Sequence, residues 1–265
     1  MPRVRPAAVL AITAVTAALL AGCTDDAGTA TGQASTPAAS ASPTASPAAA
    51  VATDMLEKAV VKSLAGPLHV QAVLQVSGRT LTIDADTDRT RPTNTLGLKV
   101  SGAQQMEVRV LGPDLFLKQA GISRKPWVRI DLNRLSLNSS MLGLIDVRTN
   151  LAPVTGVTAI RQTGPGTFEG TLDLNEAAAK APNNVVRNEM YKLIDEAASP
   201  TAVPFKGVVD AQGRLVSLDY DITAKVAAGQ VLARLSLRGF GEKFTVSKPP
   251  AADTEDASDT LYQML

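Results

Sequence analysis

This chain is poor in the side chains on which most active sites are built. Its 265 residues hold one cysteine, one histidine and one tryptophan, and aromatic residues make up only 3%. A lone cysteine excludes an internal disulfide framework and any cysteine-rich metal site. The lone histidine, His69, lies on the polar side of an alternating segment, where a surface role is expected, and no G-x-S-x-G elbow accompanies it. Paired carboxylates for glycoside hydrolysis stay open at this level, but the aromatic platforms that sugar clefts use are scarce. Asp84, Asp86 and Asp88 have the spacing of a calcium loop's first three ligands. The glycine such a loop needs at its sixth position is Arg89, and the glutamate at its twelfth is Thr95. Outward carboxylates on a strand are the simpler reading, as for Asp219 and Asp221 around Tyr220. No catalysis, metal or cofactor is expected.

Excess charge is also missing, with 26 basic residues against 25 acidic ones. Neither nucleic acid nor an anionic surface is attracted by such a balance.

What is present begins at the N-terminus. Arg3 and Arg5 precede "AAVLAITAVTAALLAG", a charge-free run too short and too rich in alanine and threonine for a membrane span of roughly 20 strongly apolar residues. A basic start, a short apolar stretch and small residues at its end make a secretory signal over residues 1–22. Leu20-Ala21-Gly22-Cys23 resembles the bacterial lipobox, which implies cleavage before Cys23 and acylation of its thiol. Two or more acyl chains hold a protein stably in a bilayer, at about 0.8 kcal/mol per buried methylene. The expected location is therefore the outer side of the cytoplasmic membrane, anchored through Cys23.

Residues 23–52 are almost wholly Ala, Ser, Thr, Pro and Gly after the cysteine, which reads as a disordered tether spanning ~30 Å. Residues 247–265, proline-bearing and then acidic, read as a disordered tail, although "DTLYQML" could form a helical turn or dock. Between them residues 53–246 suit one domain. That body alternates apolar and polar residues with period two, the mark of half-buried antiparallel strands. "LHVQAVLQV", "TLTIDAD", "DLFLKQ" and "LVSLDYDIT" are the clearest of about eleven such segments, with "TGPG" and "DAQG" as hairpin turns. Helical spacing is rarer: from Thr53 or Asp54 to Gly66-Pro67, in "LSLNSSMLGLID", and after Asn183. The predicted class is α+β, a curved antiparallel sheet of 10–11 strands with a few helices over its apolar face. On that face should lie Val70, Leu74, Leu81, Ile83, Leu98, Val108, Val110, Leu218, Tyr220, Leu235 and Leu237. Whether the helices fill the trough or leave a cavity stays open, because a core and a lined pocket use the same residue types.

The order of lipobox, tether, capped helix and long meander resembles the actinobacterial LppX/LprA/LprF/LprG lipoproteins, relatives in shape of the LolA carrier. The local matches are Leu115-Phe116-Leu117-Lys118, Trp127-Val128-Arg129-Ile130-Asp131, and Val209-Asp210 with Gly213-Arg214. The resemblance covers roughly residues 53–246 and implies a half-barrel closed by helices around a hydrophobic cavity. It further implies binding of an acylated lipid or lipoglycan, for transfer within the cell envelope, with an envelope transporter as a further partner. The competing expectation is a docking module with a filled core; a hydrolase comes third.

Overall fold

The alternating segments become strands almost one for one. The computed structural model describes residues 47–76, 79–88, 95–102, 105–225 and 230–265, so the signal sequence, Cys23 and the tether up to residue 46 lie outside the described residues. Helix α1 (Pro47–Ser63) leads into β1 (Leu68–Val76), β2 (Arg79–Asp88), β3 (Thr95–Ser101), β4 (Met106–Leu111), β5 (Asp114–Gln119) and β6 (Trp127–Asp131). A helical stretch follows, with α2 (Ser140–Ile145) and α3 (Val147–Leu151). Strands β7 (Val157–Gly164) and β8 (Thr167–Leu172) precede α4 (Leu174–Ala179) and α5 (Asn184–Glu196). The chain then completes β9 (Val203–Val209), β10 (Leu215–Thr223), β11 (Gln230–Arg238), the short β12 (Thr254–Asp256) and α6 (Asp259–Met264).

All twelve strands form one curved, unclosed sheet in the order β12-β6-β5-β4-β3-β2-β1-β11-β10-β9-β8-β7. Neighbouring strands are antiparallel except β12, which runs parallel to β6. This is the expected α+β half-barrel, with one strand more than the alternation suggested.

Three boundaries differ from expectation. Helix α1 starts at Pro47, so the last six residues of the expected tether are helical and Ala52 is buried. Proline's fixed φ suits a first helical turn, and the alanines after it are the best helix formers. The predicted helix over 135–146 is shorter, starting at Ser140 with Ser139 as its N-cap. The largest correction concerns residues 247–265, which are ordered rather than disordered. Thr254–Asp256 hydrogen-bond along β6, and α6 buries Leu261 while the Tyr262 hydroxyl accepts from the Asp131 amide at 2.8 Å.

Helix α1 fixes one half of the cover over the sheet. Leu56, fully buried, sits above Gly207 of β9, where even a methyl group would come within 3.3 Å of it. Ser63 closes the helix by donating to Ala59 O and reaching Leu215 O of β10 at 3.1 Å.

Candidate functional site

Strand register decides which side chains share a face, because directly paired residues project the same way. Val70 pairs with Leu237 on one side and Ala85 on the other, and the row continues through Leu98, Val108 and Leu117. A second row runs Leu218, Leu235, Ala72, Ile83. A third holds Tyr220, Ala233, Leu74 and Leu81, and a fourth takes in Leu96, Val110 and Leu115. The eleven residues singled out from the sequence thus all occupy one face, the one on which Leu56 of α1 lies.

That face is closed. Nine of the eleven are buried, and Val108 and Leu218 expose 0% of their surface. Only Leu74 and Leu81 remain half-buried. The volume in front of the sheet is taken by Leu56 and Ala59 of α1, Met141 of α2, Val147 and Leu151 of α3, and Leu261 of α6. Burial pushes the Tyr220 phenol up to about 12, since the ionised ring would lose its solvation here.

The cover itself is divided. Helices α4 and α5 hold a small apolar cluster of their own, with Ala177, Ala178, Val186 and Met190 around Ala152 and Ala181. Leu193 and Ile194 of α5 are the partly buried side chains that touch both this cluster and the main core. Hydrogen bonds also tie α5 to α2 and to the turn before it. Lys192 Nζ donates to Ser140 Oγ of α2 at 3.1 Å and, within α5, to Glu189 Oε1 at 2.6 Å, and Asn188 donates at 2.7 Å to Oδ1 of Asn138, in the turn before α2. The periodicity of either helix alone gives no sign of this seam, which joins residues about 50 positions apart.

The opposite face of the sheet carries charge in alternation. Arg161, Glu169, Lys206, Asp219 and Arg234 follow one another across five strands, lining a shallow groove of about 550 Å³. Farther along, His69 Nδ1 lies 2.8 Å from Asp86 Oδ1, while Arg238 donates to its Nε2 at 2.7 Å. Nε2 also lies 3.5 Å from Asp84 Oδ1, so the ring is held between Arg238 and two carboxylates. Both ring nitrogens thus have partners on this outer face. Val246 lies over Gly97, Arg109 donates to Ser247, and Lys248 stands 5.7 Å from the Phe116 ring, so the segment after β11 crosses this outer face on its way to β12.

Among the described residues no helix is long and apolar enough to cross a membrane, and no three His, Cys, Asp or Glu side chains gather as a metal site would require. No protein-family model matches the chain, and no curated protein matches it, so the apolar inner face and its divided cover are what a functional reading has to rest on.

Proposed function

We propose that this protein is a membrane-anchored lipoprotein of the LppX/LprA/LprF/LprG kind, which binds an acylated lipid or lipoglycan against the inner face of its half-barrel for transfer in the cell envelope. Cys23 is the anchoring residue, on the extracytoplasmic side of the membrane. The observation that carries this reading is the cover. Four rows of mostly aliphatic side chains are faced by short helices, and among the described residues the α4–α5 cluster joins the main core through Leu193 and Ile194, beside a hydrogen bond from Lys192 of α5 to Ser140 of α2. Aliphatic walls with few directional groups suit saturated acyl chains.

The energetics allow an exchange. Met141, Leu142, Leu144 and Ile145 of α2 and Val147 of α3 lie on the main core. Uncovering five such side chains costs about 8–15 kcal/mol at ~1.5–3 kcal/mol each. An acyl chain of about 14 methylenes gains about 11 kcal/mol when buried, at ~0.8 kcal/mol each. The two are of one size for a chain leaving water; a chain drawn from a bilayer is already buried, so the exchange also needs the displaced α2–α3 side chains to find apolar cover against the lipid.

Full burial of Val108 and Leu218 favours a second reading, a non-catalytic docking module whose core is simply filled. Mass spectrometry of lipid extracted from the natively purified protein separates the two. Stoichiometric acylated lipid beyond that attached at Cys23 supports the carrier; a Cys23→Ala chain that retains no lipid, and takes none from vesicles, sinks it and leaves the docking module. The same Cys23→Ala chain should leave the membrane fraction, and one that stays as firmly bound contradicts the anchor.

A further inference from the structure

We infer that the seam between α2 and α5 is the port through which an acyl chain reaches the inner face, with the Lys192–Ser140 bond as its latch and Glu189 holding the lysine from within α5. This rests on the carrier reading above and adds where the cover opens.

A cover opens where parting it breaks the fewest apolar contacts. Helix α1 is unsuited, since Leu56 is seated on Gly207 and Ser63 is bonded into β10. Helix α5 is held mainly by its own alanine-rich cluster with α4. Helix α2 differs from both. Its apolar side chains lie on the main core, and the hydrogen bonds that tie it and the turn before it to α5, Lys192–Ser140 and Asn188–Asn138, can be exchanged for water one by one. The neighbouring α3 carries the buried Thr149 hydroxyl, which has no hydrogen-bond partner, so this part of the cover forfeits a bond that movement would restore. Leu137, 59% exposed, stands at the rim of the seam, its carbonyl accepting from Asn188, where a bilayer-borne chain would first meet the protein. The helices also approach very closely: a Cβ placed on Gly143 would stand 2.6 Å from Cγ and Cδ of Glu189.

That approach supplies the test. One further C–C bond from Glu189 Cγ puts the Cβ atoms of a Gly143→Cys/Glu189→Cys pair within about 4 Å, inside the ~3.5–4.5 Å that disulfides use. The pair is introduced into the full chain together with Cys23→Ala, so that the engineered thiols alone can oxidise. Uptake of pyrene-labelled phosphatidylglycerol from phosphatidylcholine vesicles is then followed by pyrene fluorescence. With the seam locked, uptake should slow at least tenfold, and a reductant should restore it in the same sample. In the otherwise unmodified Cys23→Ala chain, Lys192→Ala should raise both uptake and release rates several-fold by removing the latch. Equal rates in the oxidised and reduced protein, with the Cys23→Ala chain loading normally, overturn the port and leave the carrier reading standing. A Cys23→Ala chain that takes up no probe overturns the carrier reading, and the port falls with it.

Discussion

Val108 is the position at which the packing of the inner face can be measured directly. It lies mid-strand in β4, between Leu98 of β3 and Leu117 of β5, with none of its surface exposed. Substitution in either direction should therefore cost stability. Val108→Trp forces a bicyclic ring into filled space and should destabilise by about 1–3 kcal/mol. Val108→Ala removes two methyl groups and leaves a void, with an expected loss of about 1–2 kcal/mol, between the Ile→Val and Leu→Ala ranges. A domain of this size loses about 2–4 °C of melting temperature per kcal/mol, so the Trp variant should melt roughly 2–12 °C below the parent. Thermal unfolding by circular dichroism at one protein concentration, with chemical denaturation to check that the m-value is unchanged, reads both variants. A Trp variant that melts within 1 °C of the parent, beside an Ala variant that is equally unaffected, would show space in front of β4 and refute the closed packing described here. Under the carrier reading the Trp variant should also load less lipid, since its ring occupies the place an acyl chain would take.

Further predictions concern the rest of the fold. Folded Tyr220 keeps its proton to about pH 12, whereas an unfolded chain gives it up near pH 10, so the stability it contributes is complete below pH 10 and falls as pH rises toward 12, by roughly 2–3 kcal/mol. Tyr220→Phe should flatten that part of the alkaline decline, and a variant whose stability falls as steeply as the parent's between pH 10 and 12 refutes the assignment. Removing residues 254–265 takes away the burial of Leu261, the Tyr262–Asp131 bond and the partner of the β6 edge, at about 3–5 kcal/mol. The truncated chain should also self-associate through the bared edge, visible by light scattering; an unchanged melting temperature and a monodisperse sample argue against the role given to β12. Leu56→Ala should cost about 2–5 kcal/mol, because the backbone at Gly207 cannot rise to fill the void beneath α1.

The strands were legible because their signal is local. Period-two alternation in "DLFLKQ" and "LVSLDYDIT" matches β5 and β10 end to end, and the punctuating turns fell where Gly166 and Gly213 adopt positive φ. Face assignment followed from the same alternation, which is why eleven residues chosen from sequence share one side of the sheet. The tail was misread for an equally physical reason. Asp256, Asp259 and Glu255 look like a solvated acidic run until the fold brings Arg129, Arg134 and the Arg124 amide to 2.7–2.9 Å from them, across more than 120 residues. Partners that far apart leave no local trace. Pro249-Pro250 likewise ends any helix, but Pro249 is buried and the chain is only turning toward β6.

The site was legible to a lesser depth, and the limit lies in what alternation encodes. A strand's pattern says which side is apolar; it is silent on what fills the space in front. Val108 facing an acyl chain and Val108 facing Met141 or Leu151 require the same valine. What distinguishes a permanent core from a replaceable one is the way the covering elements are joined to one another. Here the joint is read from side chains with ordinary sequence signatures: a glycine in a short helix, a glutamate lying across it, and a lysine reaching a serine on the neighbouring helix. Among the described residues the main core and the α4–α5 cluster meet at Leu193 and Ile194. Between α2 and α5 themselves Lys192 and Ser140 form a bond that water can replace, and the apolar side chains of α2 lie on the same core as the aliphatic rows of the sheet.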